Sequence, residues 1–152
     1  MTLALLRAAI PAALALALAA CSSGGGALSP GLAQRMDMPG AQLNRVEALG
    51  IINNYRTTTG AAAVVEDAGL DASAQQLATQ YAKSGKQPAK PAGTIQIRYS
   101  AGYFTFAETF SGWRNSPIDA PALVDKTATK AGLAAIYDSA SPYGVYWVIV
   151  FG

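Results

Sequence analysis

The sequence predicts an α+β domain, a three-layer α/β/α sandwich on a small, mainly antiparallel sheet. Apolar residues recur at helical spacing in three segments. Three other segments are short, rich in β-branched and aromatic residues and bounded by turn residues. The last of these, VYWVIVF, is apolar at nearly every position. Both of its faces must therefore be covered, which calls for helices on either side of the sheet.

The first helix is expected over about 42–58. Leu49, Ile52, Asn53 and Arg56 share one face at i, i+3, i+4 and i+7, and Gly60 stops the helix. Polar groups on an apolar stripe are costly unless hydrogen-bonded. Asn53 and Arg56 therefore either tie the helix to loop backbone or contact a ligand. Asp67 is placed to cap a second helix, with Leu70, Ala74, Leu77, Ala78 and Tyr81 inward and Gly85 as its stop. After the Pro/Gly/Lys loop SGKQPAKPAG, TIQIRYS alternates Ile95, Ile97 and Tyr99 with Gln96 and Arg98, the pattern of a half-buried strand.

Thr105 and Glu108 form a capping box ahead of a third helix, which buries Phe106, Phe110 and Trp113 and closes at Pro117. Asp119 then has two readings: the N-cap of a short turn through Ala120 to Val124, or a carboxylate base exposed after Ser116-Pro117. The strands AGLAAIYDS and VYWVIVF, joined by SASPYG, complete the sheet.

Residues 1–20 read as a processing signal. Arg7 precedes an uncharged Ala/Leu run from Ala8 to Ala20, and Leu18-Ala19-Ala20-Cys21 resembles a bacterial lipobox. The run would span only about 20 Å as a helix, against about 30 Å of bilayer core. The expectation is a chain acylated at Cys21 and held at the membrane through that anchor. Residues 21–40, Ser/Gly-rich at the start, read as a flexible tether, and 41–152 as one domain. Ser22 favours the outer membrane over the inner one.

Cys21 is the only cysteine and there is no histidine, so disulfide and thiolate chemistry are not expected in the domain. Without Arg7, ten basic residues face nine acidic ones, a net charge of +1. No block of like charge suggests a nucleic-acid partner. P-loop, dinucleotide and metal-ligand spacings are lacking, so no cofactor or metal is expected.

The order of motifs resembles the CAP superfamily, also known as SCP or pathogenesis-related-1 domains. IINNYRTTTG is similar to its Leu-Asn-x-x-Arg-x-x-x-Gly helix, and LDASAQQLATQYA to its Ala-Gln-x-His-Ala helix. SAGYFTFAETFSGWRNSPID is similar to its Trp-x-x-Ser-Pro-Gly-His segment, and AGLAAIYDSASPYGVYWVIVFG to its terminal hairpin. The resemblance spans about 43–152 and implies the same three-layer fold. It also implies a cleft where relatives hold two histidines and acidic partners, a set able to bind a divalent metal. Those positions fall at Leu77, Asp119, about Ile97, and Ser116, and none keeps the family residue.

Greasy side chains at Leu77 and Ile97 imply a dry cleft floor, either packed as core or lining an apolar pocket. By resemblance to lipid-binding members, the ligand would be a small amphipathic or apolar molecule. The expected ligand-binding residues are Leu77, Ile97, Tyr99, Tyr103, Trp113 and Asp119, in a non-catalytic binding or structural module. The rival is a cell-wall or peptide hydrolase using Asp119 and Glu108 with a tyrosine, which needs both carboxyls in one cleft within about 10 Å. A passive scaffold that docks another envelope protein through an exposed apolar patch is a third reading.

Overall fold

The computed structural model describes residues 28–152; the expected processing signal over residues 1–20 and Cys21 lie outside the described residues. Among the described residues, five helices and four strands follow in the order α1 (Pro30–Ala33), α2 (Arg45–Thr58), β1 (Val65–Glu66), α3 (Ala68–Ser84), β2 (Gln96–Ala101), α4 (Phe106–Asn115), α5 (Ala120–Leu123), β3 (Lys130–Tyr137) and β4 (Val145–Phe151). The sheet order is β1-β3-β4-β2, parallel only between β1 and β3. This is the expected α+β sandwich, with one short parallel edge strand added. Two residues are too few to show alternation in sequence.

The continuous apolar run of β4 follows from its central place. Val145, Trp147, Ile149 and Phe151 pack with Leu49 and Ile52 of α2 and Phe106, Phe110 and Trp113 of α4. Val148 and Val150 face Ala74, Leu77 and Ala78 of α3, and Tyr146 packs with Tyr81. Every residue of β4 is buried, so each contributes roughly the full side-chain burial energy, about 1.5–3 kcal/mol for the larger ones.

Gly132 in β3 permits the closest approach between layers. A Cβ there would stand 2.1 Å from the Leu70 carbonyl carbon and 2.2 Å from the Asp71 nitrogen. The start of α3 thus lies directly on the strand, and Asp71 Oδ1 accepts from Leu133 N at 2.8 Å.

The helix ends are made as the sequence implies. Asp67 accepts from Leu70 N at 3.0 Å, Gly85 closes α3 at φ 67, and Thr105 with Glu108 forms the reciprocal box on α4. Asn53 and Arg56 are the ties expected of them. Asn53 donates to Val64 O and accepts from Val64 N. Arg56, 0 % exposed, donates to the carbonyls of Ala62, Leu123, Asp125 and Ala128 at 2.7–3.2 Å. One guanidinium therefore fastens α2 to α5 and to the loop before β3, and burial lowers its pKa from the ordinary arginine value.

One boundary is corrected. Residues 28–40, expected as part of the tether, are packed on the domain from α1 onward: Leu32 and Met36 are buried in the main core, and Met36 N donates to Phe104 O at 2.8 Å. Pro30 starts the helix that brings Leu32 inward. The Ser/Gly bias of residues 22–26 does not extend to this stretch.

Candidate functional site

The strand β2 lies at the edge of the sheet, and a groove of about 460 Å³ runs along it, lined by Gln87, Lys90, Ile97, Arg98, Tyr99, Ile118 and Asp119. Pairing alternates along the strand. Gly102 N donates to Val145 O, so Arg98 and Ser100 turn their backbone groups to β4 while Ile97 and Tyr99 turn theirs to the free edge. Both outward carbonyls are occupied: Trp113 Nε1 donates to Tyr99 O at 3.1 Å and Arg98 Nη1 donates to Ile97 O. That protection closes the edge to another strand at these two carbonyls.

Side chains on β2 diverge to its two faces. Ile97 joins Leu77, Ala134 and Val150 beneath α3, and Tyr99 packs edge-on to Tyr81 with ring centroids 5.7 Å apart. The Tyr99 hydroxyl is buried without a hydrogen-bond partner among the described residues, and burial raises its pKa. Arg98 points the other way, toward the 116–119 turn. Its Nε lies 3.2 Å from Asp119 Oδ1, with the two side chains 23 % and 28 % exposed. This Nε has no aligned hydrogen bond, so the contact is one of charge attraction and not of a directed bond.

The expected cap by Asp119 is not made. Its backbone sits at φ −92, ψ −36, already helical, and the side chain accepts no N–H from α5; an N-cap needs extended backbone to aim its oxygen at the first turn. Ser116 does this work one turn earlier, its Oγ accepting from Ile118 N and Asp119 N at 3.3 and 3.2 Å. The Asp119 carboxylate is left for Arg98.

Of the six residues expected to bind ligand, Ile97, Tyr99 and Asp119 line this groove. Leu77 is buried against Ile97, so the floor is packed core at that point and not an open apolar pocket. Trp113 is buried among the α4 aromatics and reaches the site only through its bond to Tyr99 O. Tyr103 belongs to a second groove, along α4, where its ring lies over Gly112 with Leu28 and Glu108 nearby. Sequence reasoning missed Gln87, Lys90, Arg98 and Ile118 as site residues, Arg98 being read only as the solvent face of its strand. The one signal was Ile118 itself, an isoleucine in a Pro-containing turn, and it is 78 % exposed.

The two carboxylates proposed for hydrolysis line different grooves. Glu108 is held by Phe104 N, Thr105 N and Thr105 Oγ at 3.0–3.1 Å. Burial pushes its pKa up, but the Thr105 and Phe104 donors outweigh that and leave it below the usual glutamate value. A general acid needs the opposite shift. Among the described residues, no three acidic side chains converge as a metal site.

The family model described as the cysteine-rich secretory protein family, CAP, matches residues 49–151. The chain belongs to the CAP family. Three solved structures share the fold. An outer surface protein from Borrelia burgdorferi is 17 % identical with a TM-score of 0.57, over 68 % of this chain and 87 % of that one. MpPR-1i is 21 % identical with a TM-score of 0.59, over 70 % and 88 %. A cysteine-rich secretory protein from Staphylococcus aureus subsp. aureus Mu50 is 18 % identical with a TM-score of 0.54, over 70 % of this chain but 36 % of that one. No curated protein sequence matches the chain.

Proposed function

We propose that the protein is a membrane-tethered CAP domain of the bacterial envelope that acts by binding and not by catalysis, taking a small amphipathic molecule in the β2-edge groove. The observation that carries this reading is the make-up of that groove. Ile97, Tyr99 and Ile118 supply an apolar wall, and Lys90, Arg98 and Asp119 a few fixed charges beside it. With Gln87 the polar groups match the apolar ones, and such a half-apolar, half-polar lining suits a molecule that is itself amphipathic. The separation of Asp119 from Glu108 into different grooves supports binding over hydrolysis. The tether is the acylated Cys21, and the outer membrane is the expected location because Ser22 follows it.

Equilibrium binding of a fluorescent fatty acid to the protein tests the groove. Ile118→Asp, at a side chain already in solvent, should weaken binding at least tenfold, because the side chain would otherwise contribute about 1.5 kcal/mol or more on being covered. Equal affinity in the two proteins, or no uptake by either, sinks the reading.

A further inference from the structure

We propose that the end of the domain bearing Tyr103, Phe104, Tyr137 and Tyr143 rests on the lipid bilayer, with these rings at headgroup depth. Together with Leu28 they are five of the nine large hydrophobic side chains exposed among the described residues, so exposed apolar surface is concentrated here. Phe104, Tyr137 and Tyr143 line one shallow groove of about 230 Å³ with Pro142 and Gly144. Glycines lie beneath them: a Cβ on Gly102 would meet the Tyr143 ring at 3.7 Å, and one on Gly144 the Phe104 ring at 3.8 Å. Tyr103 continues the surface to Leu28 on the α4 side.

The chemistry suits an interface between water and hydrocarbon. Tyrosine presents an apolar ring and a polar tip, and it is enriched at that depth in membrane-associated proteins. The charges around the rings are already engaged. The Arg35 guanidinium lies over Phe104, 4.7 Å from the ring centroid, and pairs with Asp37. Asp138 accepts from Ala140 N, and Glu108 accepts from Phe104 and Thr105 N–H. No isolated charge among these groups has to be desolvated when the rings approach lipid.

Which face meets the membrane follows from the tether, so this inference rests on the proposed anchor at Cys21. Six residues lie between Cys21 and Leu28, and the seven chain steps from one to the other extend at most about 25 Å. A domain of this size is roughly 35 Å across. The face opposite Leu28 therefore cannot touch the bilayer without lifting Leu28 beyond the reach of the tether, whereas the tyrosine end, which adjoins Leu28, can.

The single cysteine allows attachment to be imposed as well as observed. The full chain is coupled through Cys21 to maleimide-bearing lipid in phosphatidylethanolamine/phosphatidylglycerol vesicles and, as the lipid-free control, to agarose beads. Hydroxyl-radical footprinting then reads Tyr103, Phe104, Tyr137 and Tyr143. Oxidation at these residues should be at least threefold slower on vesicles than on beads and unchanged at Ile118. Phe104→Ser/Tyr143→Ser, both at exposed sites, should remain folded and lose the protection at Tyr103 and Tyr137.

Equal oxidation on both supports overturns the proposal. So does equal protection on both at high loading, which would mark a face between copies of the chain. Partition of the native protein and of Cys21→Ala between membrane and soluble fractions separately tests the anchor. If the anchor fails that test, footprinting on vesicles still decides whether this face meets lipid.

Discussion

Arg98 and Asp119 meet at 3.2 Å across the turn that follows α4, in the edge groove that Tyr99 also lines. The pair holds the 116–119 turn against the edge strand and so sets the width of the groove. Asp119→Ala should lower stability by about 1–2 kcal/mol, between the values for exposed and buried pairs, because it strands a half-buried guanidinium. Urea unfolding would read this. In a double-mutant cycle with Arg98→Met, the coupling energy should be about 1 kcal/mol, and a value near zero would mean that the turn is held by other contacts.

Arg56 distributes its donors over four buried or half-buried carbonyls and stacks 5.8 Å from the centre of Phe151. Lysine has one nitrogen and cannot copy that fork. Arg56→Lys should therefore cost about 3 kcal/mol or more, as several carbonyls lose their partner together. Thermal unfolding of the two proteins measures it, and a drop of only a degree or two would contradict the account.

Two glycines should respond in opposite directions to the same substitution. Gly132→Ala places a methyl group 2.1 Å from the α3 backbone, far inside van der Waals contact, so the protein should lose several kcal/mol or fail to fold, as overpacked cores do. In the interior of α2, a Cβ on Gly50 meets nothing within 4 Å, and Gly50→Ala should add about 0.5–1 kcal/mol. Similar effects at both sites would mean that the layers are not in the contact described.

Asp125 sets an acid limit on stability. The Thr127 side chain, the Gln96 amide and the Thr127 N–H all donate to its carboxylate, and its pKa is lowered to about 2. A depressed carboxylate contributes stability that is fully present above its unfolded value, near 3.9, and is lost as pH falls from there through about 2. Urea midpoints measured between pH 5 and 2 should fall less steeply in Asp125→Asn than in the parent chain. Parallel slopes would remove Asp125 as the source.

What could be read from the sequence was what depends on neighbours a few residues away. The Thr105–Glu108 box, the Asp67 cap and the doubly buried run of β4 are of this kind. Arg56 could be recognised as a tie because an arginine on a buried stripe has few other fates. Position 119 misled because aspartate before a proline-containing turn fits a cap equally well, and only the backbone angles, already helical, show that it is not one. Leu32 and Met36 went unrecognised as core because their partners are α2, α4 and β4, distant in sequence. The groove was half legible: Ile97, Tyr99 and Asp119 could be named, but Lys90 and Ile118 arrive on separate loops with no periodicity to announce them.

The placement of β4 between β3 and β2 governs how the chain can fold. Its two neighbours precede it in sequence and do not pair with each other, so until residues 145–151 are in place each presents an unpaired border, and α3 has only β3 to rest against. Assembly is therefore late and cooperative, governed by distant pairings. A chain that stops before Val145 should therefore lack the wall its two helical layers share and stay open to proteases.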